Sequence, residues 1–559
     1  MFSNARLIVK ALSSRERVAA TVAVVVVVLA SLSRLALTVR ENSTFVPIAG
    51  GSYVEGIVGQ PRSVNPIVSG NQADRDIAAL LFSPLAELIS SFETEKSKRV
   101  YLVKLKDGLL WDDGQPLTSD DVIFTIRLIQ NPDARSPLQK SWQGIQAERE
   151  SELQIRFTLP APFSFFGENM KRLAPIPRHL FGTVPPENLH LSLYNLRPVG
   201  SGPYRFADFE ARPDGFITRY RLIPNDRYHG VEPFLDEFIF QFYEQEGQLV
   251  NAFRAREVDG FGTLLAPPEA VARTPQAVID LLPMPRSYTL FMNSLNNPSL
   301  KDPDLRKALA LSIDRTRIAS EVFAGAAVPI GSPIFFDLAT LEPTATTTVE
   351  ALRENLFKTG VRFSTSTAAP PVFDLNAARE KLASSKEEGA TLNLVVPKVP
   401  FLEQVAVIIR ESWNTIGLMN VNLISVEPDD LANEIVKTRN YEILLFGNIL
   451  QDPADLFSFW HSSQRFHPGL NLALYQNTRA DAAIEAIRQL TQATDRAVEL
   501  KKLEKLILAD TLVIPLVSLP YFYVHSERLQ GFEPRIVVTP HDRFIDVARW
   551  YVAEARVLQ

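Results

Sequence analysis

The chain has 559 residues, 46% of them hydrophobic and 22% charged, a composition typical of globular proteins but too long for one hydrophobic core. Its net charge of -6 arises from interspersed signs without a long basic run, which argues against nucleic acid as a partner. Cysteine is absent, so disulfides, thiol catalysis and thiolate metal sites are excluded.

Taken in chain order, 1–17 reads as a cytoplasmic N-terminus carrying Arg6, Lys10, Arg15 and Arg17. Residues 18–39 form a largely apolar stretch of about 20 residues, with Arg34 as its only charge near one end, and predict a transmembrane anchor. The preceding positive charges orient it N-in, C-out. Ser31-Leu32-Ser33 also fits a cleavage site, so a removed signal segment is the alternative. In either case the remaining chain lies outside the cytoplasm, at the cell membrane on the periplasmic or extracellular side. A polar linker is expected over 40–49.

Strands are predicted over 52–58 and 101–105, and a helix over 74–82. Thr118-Ser119-Asp120-Asp121 resembles a capping box and opens a helix that ends before Asn131-Pro132. A single helix is expected over 302–323. A strand follows at 392–396, then a helix over 401–416 stopped by Gly417, strands at 421–426 and 441–446, and a largely helical stretch over 480–508. Residues 340–371, rich in Thr, Ala and Pro, read as a surface excursion. The unrepeated alternation of strands and helices indicates a mixed α/β protein.

No G-x-S-x-G elbow, H-E-x-x-H, P-loop or dinucleotide fingerprint occurs, so no catalytic constellation or cofactor site is expected. His461 and His467, six residues apart, match no metal spacing, and no metal site is expected either. Asp112-Asp113 before Gly114 reads as turn chemistry.

Several stretches carry a resemblance. Gly50-Gly51-Ser52-Tyr53-Val54-Glu55-Gly56, with Ser63-Val64-Asn65-Pro66 after it, resembles the opening of the bacterial peptide- and nickel-type solute-binding proteins of ABC transporters. Val103-Lys104-Leu105-Lys106-Asp107-Gly108-Leu109-Leu110-Trp111-Asp112-Asp113-Gly114-Gln115-Pro116-Leu117-Thr118-Ser119-Asp120-Asp121-Val122 is similar to the most specific signature of that family. Pro198 to Tyr204, Arg256-Glu257-Val258-Asp259, Asp304 to Arg315, and Ser458-Phe459-Trp460-His461-Ser462 follow in the expected order. The resemblance spans about residues 50 to 550.

What the resemblance implies is a two-lobed, periplasmic-binding-protein-like fold, type II, with an inserted subdomain. Lobe I would comprise 50–85, 196–285 and 520–559, the subdomain 86–195, and lobe II 286–519. The aromatic and apolar runs next to Pro285 and Pro520 would be the crossing segments. The implied function is capture of oligopeptides by hinge closure for the permease subunits of an importer. A metal chelate or sugar ligand, or a sensor without transporter, are alternatives within the same fold; an anchored hydrolase is an alternative outside it. An aspartate after the buried strand holds the ligand ammonium in peptide-binding relatives. Here Asp452 aligns either with it or with a later turn aspartate. Gly447, Asn448, Trp460, Asn65 and Asn293 are the further ligand candidates. Packing is the alternative for Trp460, and turn stabilisation for the two asparagines. The missing cysteine also removes the lipid-modified residue that anchors many such receptors, leaving a helix as the tether.

Overall fold

The computed structural model of the protein describes residues 13–41, 43–334, 369–387, 389–418, 420–449, 455–490 and 492–558. The excursion expected over 340–371 therefore lies, but for its last three residues, outside the described residues.

Two large mixed sheets dominate. The first places its strands in the order Ala277–Leu282, Tyr521–Ser526, Gly260–Thr263, Ser52–Val58, Glu237–Tyr243, Ile217–Pro224 and Tyr204–Ala211. The second runs Val328–Pro329, Val513–Ser518, Arg286–Met292, Ile443–Ile449, Leu392–Pro397 and Val421–Val426. We call the bodies built on them lobe I and lobe II. A four-stranded antiparallel sheet, Ile89–Thr94, Val100–Leu105, Gln154–Thr158 and Gln146–Ser151, forms a subdomain beside lobe I.

Both large sheets are covered on both faces, because successive side chains of a strand point to opposite sides. In lobe II, Leu290 and Met292 join one apolar cluster while Phe291 joins the other. In lobe I, Tyr521 and Tyr523 face one cluster, Phe522 and Val524 the second. The C-terminal segment closes lobe I with Phe544 and Trp550 in its core. Arg543, 2% exposed, fastens this segment, donating to Glu55 Oε1 at 2.8 Å and Asp76 Oδ2 at 2.7 Å. Removing one member of such a buried cluster strands the others without water, at a cost of about 3–5 kcal/mol.

The capped helix is present as Ser119–Gln130, with Thr118 and Asp121 forming the reciprocal box. Asp112 and Asp113 sit in a turn, accepting from the Gly200 and Gln115 amides at 3.0 Å each. Two expectations need correction. The single helix over 302–323 is two helices, Pro303–Leu311 and Arg315–Glu321. Asp314 breaks the run by accepting from the Thr316 and Arg317 amides, which starts a new helix where the apolar periodicity alone would continue the old one. The linker over 40–49 is partly a strand: Ser43–Pro47 pairs antiparallel with Glu554–Leu558, residue for residue. Its β-prone Thr-Phe-Val core finds a partner at the far end of the chain.

Ser14–Glu41 forms a helix of 28 residues containing the N-terminal apolar run. Among the described residues no helix is long and apolar enough to cross a membrane. Several positions of this run carry side chains outside the described set.

Candidate functional site: the gap between the lobes

The chain passes between the two sheets twice. Ala277–Leu282 continues through Pro283, Met284 and Pro285 into Arg286–Met292; Val513–Ser518 continues through Leu519 and Pro520 into Tyr521–Ser526. The passages run side by side, with Leu282 opposite Tyr521 on the lobe I side and Ser287 opposite Ser518 on the lobe II side. Proline fixes φ and stiffens each passage, so relative motion of the lobes concentrates in a few bonds.

Arg286 stands at the start of the lobe II strand, 2% exposed. Its Nη2 donates to the Leu264 carbonyl at 2.6 Å and the Pro520 carbonyl at 3.3 Å, joining one crossing to the other and to a lobe I loop. The guanidinium also lies 5.7 Å from the Tyr288 ring centroid. No carboxylate among the described residues faces it, and its Nε has no hydrogen-bond acceptor. Burial pulls its pKa below the usual arginine range, with Tyr288 opposing.

The neighbouring strand Ile443–Ile449 is paired unequally on its two sides. On one side it pairs along its whole length with Arg286–Met292. On the other, its ladder with Leu392–Pro397 comprises only Leu394–Ile443 and Val395–Leu444. The partner strand then turns away into helix Pro400–Ile416. Residues 446–449 therefore keep one edge without a strand partner among the described residues. Such an edge is a template for an added extended chain.

Gly447 lies on this edge opposite Tyr288, and half-buried Asn448 opposite Ser287. Glycine at 447 has a steric cause: an added Cβ would lie 2.6 Å from Tyr288 Cε1. That ring cannot easily yield, being packed at 6.3 Å on Phe323 and edge-on to Phe401 at 5.6 Å. Asp452 lies outside the described residues. Asn65 is 1% exposed, donates to Asn195 Oδ1 at 3.2 Å and accepts from the Ile67 amide at 3.2 Å. Asn293, equally buried, donates to the Arg439 carbonyl and accepts from the Leu295 amide, both at 3.0 Å. Trp460 is 4% exposed and meets Tyr475 edge-on in the lobe II core. Asn293 and Trp460 are thus packed within lobe II and Asn65 within lobe I. His461 hydrogen-bonds Ser463 Oγ at 2.8 Å, and among the described residues no group of metal ligands assembles.

Sequence reasoning did not single out Arg286, although an arginine inside the apolar run after Pro285 was a signal. It also passed over a second inter-lobe feature. A cavity of about 370 Å³ separates the subdomain from lobe II, lined by Gln143, Pro160, Phe163, Asp455, Phe457 and Arg488 among others. Arg488 lies between the Phe163 and Phe457 rings, 4.8 and 4.6 Å from their centroids. Its Nε faces Asp455 at 3.3 Å without the alignment of a hydrogen bond. Burial raises the Asp455 pKa, and Arg488 opposes the shift.

The fold is shared with known proteins. Residues 83–467 match the family model "Bacterial extracellular solute-binding proteins, family 5 Middle". The chain is 24% identical over 544 residues to the oligopeptide-binding protein AppA of Bacillus subtilis, covering 92% of this chain and 94% of that one. The crystal structure of the ABC transporter substrate-binding protein CtaP from Listeria monocytogenes superposes with a TM-score of 0.74 at 24% identity, over 90% of this chain and 99% of that one. NikZ from Campylobacter jejuni, solved in complex with Ni(L-His), gives 0.68 at 19% identity, over 89% and 99%. The two-lobed fold of periplasmic binding proteins is thus common to all of them.

Proposed function

Because the chain belongs to the bacterial extracellular solute-binding proteins of family 5, we propose that it captures oligopeptides between its lobes and delivers them to the permease subunits of an ABC importer. The observation that carries this reading is the edge at 446–449, without a strand partner among the described residues and set beside the crossings. An extended peptide satisfies the free main-chain groups of that edge whatever its side chains, which gives affinity with broad sequence tolerance. Differential affinity for the closed arrangement then drives closure. The relative AppA is named as oligopeptide-binding, which supports the same choice.

In this reading lobe I comprises 50–85, 196–285 and 520–559, the subdomain 86–195 and lobe II 286–519. Gly447 and Asn448 offer main-chain and amide contacts, and Asp452 pairs with the ligand ammonium. Trp460, Asn65 and Asn293 keep the walls in place. The apolar run 18–39, carried on helix Ser14–Glu41, is kept in this reading as the tether or as a removed signal segment. Its Val22, Val27 and Leu29 are 56, 63 and 58% exposed, an apolar surface that suits lipid.

The test is mass spectrometry of small molecules released from the denatured full-length protein, paired with thermal shifts. Peptides of mixed sequence are expected, with about 2.7 kcal/mol of stabilisation at 100-fold excess over Kd. A single defined metal chelate or sugar in their place refutes the peptide assignment. Asp452→Ala should weaken peptides with a free N-terminus more than N-acetylated ones; equal losses remove Asp452 from its role.

A further inference from the structure

Two adjacent aromatic residues of the subdomain are buried in different halves of the molecule. Phe166, wholly buried, belongs to the cluster that joins the subdomain to lobe I. Phe165, 5% exposed, belongs instead to the lobe II cluster that holds Leu444, Leu456 and Trp460. Phe163, two residues earlier, packs against both clusters.

This short segment is gripped from both sides. Pro160-Ala161-Pro162 leads into it with two fixed φ angles, and Tyr101 of the subdomain sheet donates to the Phe163 carbonyl at 3.4 Å. Across the gap, the Ser164 amide donates to the Arg488 carbonyl at 2.8 Å and Ser164 Oγ to the Ile487 carbonyl at 3.3 Å. Both carbonyls lie in the last turn of helix Thr478–Gln489, where no helical amide remains to pair them. Arg488 lies 4.8 Å from the Phe163 ring centroid, and Arg496 5.5 Å from that of Phe165. Lys140 Nζ adds one exposed contact, to the Pro468 carbonyl at 3.0 Å.

Every group in this contact belongs to the chain itself, so it draws the halves together with or without a guest between them. We infer that residues 163–165 are a latch, a plug from the subdomain that seats in lobe II when the lobes close and withdraws when they part. Magnitude decides how firm it is. Moving one buried phenylalanine into water shifts an equilibrium by about tenfold to a hundredfold, whereas taking a population from 1:99 to 99:1 needs about 10⁴-fold. The latch therefore biases the lobes toward closure without locking them. It slows entry of a guest, which needs the open form, and lengthens the stay of one already held. This rests on the two-lobed hinge of the reading above and not on the kind of guest.

Pulsed dipolar spin resonance on the full-length chain tests it. The sequence has no cysteine, so Glu148→Cys on an exposed edge strand of the subdomain and Lys437→Cys on the surface of lobe II carry the only two spin labels. Protein freed of bound small molecules by unfolding and refolding is expected to give one short distance. Phe165→Ala and Phe163→Ala should each add a longer one, with the closed-to-open ratio falling about tenfold or more. Phe163 is half-buried, so its truncation makes little demand on folding. Phe165→Leu, which keeps an apolar plug, should restore most of the short distance. A wild-type distance that is already long, and shortens only with a random-sequence nonapeptide pool, overturns the latch and leaves the hinge intact. A short distance kept by both alanine variants, with or without lower thermal stability, makes the two rings packing residues and overturns the latch as well. One distance shared by every form, with and without the pool, overturns the hinge together with it.

Discussion

At the scale of single residues, two half-buried ionisable groups, Asp112 and His229, make opposite demands on pH. Burial pushes the Asp112 carboxyl up to about 6, with the Gly200 amide pulling the other way. A folded-state pKa above the ordinary 3.8 of an aspartate means that the native state holds the proton more tightly. Its contribution is thus fully present below about 3.8 and lost as pH rises through about 6. His229 behaves inversely: burial, helped by Lys106, pulls it from 6.5 to about 4, so its contribution is present above 6.5 and lost as pH falls through about 4. Urea unfolding should therefore show Asp112→Asn gaining on the wild type by on the order of 2 kcal/mol between acid and neutral pH, after discounting for partial solvent screening. His229→Gln should gain on it in the opposite direction. Parallel curves for all three proteins would remove both groups from the pH response. At 447 the prediction is steric. Gly447→Ala sets a methyl 2.6 Å from Tyr288 Cε1 and should destabilise by about 1–3 kcal/mol, partly restored by Tyr288→Leu. A neutral alanine in denaturation would show that the ring yields freely. The steric reason for a glycine at 447 was not legible, because Tyr288 lies 159 positions away in the sequence.

Among the elements, those specified by neighbours in the sequence were the readable ones. The Thr118–Asp121 box fixes the start of Ser119–Gln130, and Gly417 at φ 116° stops Pro400–Ile416, each through contacts within a few residues. The break at Asp314 was written in the sequence too, but a strong apolar periodicity masked it. Features set by distant partners were not readable. The edge at 446–449 lacks a strand partner among the described residues because Leu392–Pro397 ends beside it, and Ser43–Pro47 is a strand because Glu554–Leu558 lies beside it. That terminal pair carries its own prediction. Ile48 continues the pairing by donating to the Ala553 carbonyl at 3.2 Å, and the Gly50 amide donates to the Phe234 carbonyl at 2.8 Å. The helix Ser14–Glu41 is therefore joined to lobe I by paired backbone in place of a loose linker. Deleting 554–559 should abolish hydrogen-exchange protection at the amides of Ser43 to Val46 while leaving Tyr53 and its sheet protected. Protection that persists at those amides would mean that the strand is held by something else.

For the whole molecule, the question is what sets the balance between open and closed lobes, and Arg286 is placed to answer it. Its guanidinium ties the Leu264 loop of lobe I to the second crossing at Pro520, from a position on the first. A buried charge with no carboxylate beside it among the described residues gains little stability from burial itself, and replacing such a group by a hydrophobic side chain of similar size is often neutral. The two carbonyl contacts nevertheless hold one relative setting of the crossings. Arg286→Met should thus leave the unfolding free energy within about 1 kcal/mol of the wild type, because the methionine fills the space and the two carbonyls can find water at the loosened joint. The lobes should separate more freely, giving a larger radius of gyration in ligand-free solution scattering and a weaker Kd, since a population-shifted receptor binds in proportion to its competent fraction. Ligand-bound scattering should match the wild type. The combination is what discriminates: a loss of several kcal/mol in stability with unchanged scattering would make Arg286 a packing residue, whereas a change confined to scattering and affinity places control of closure in the joint between the crossings.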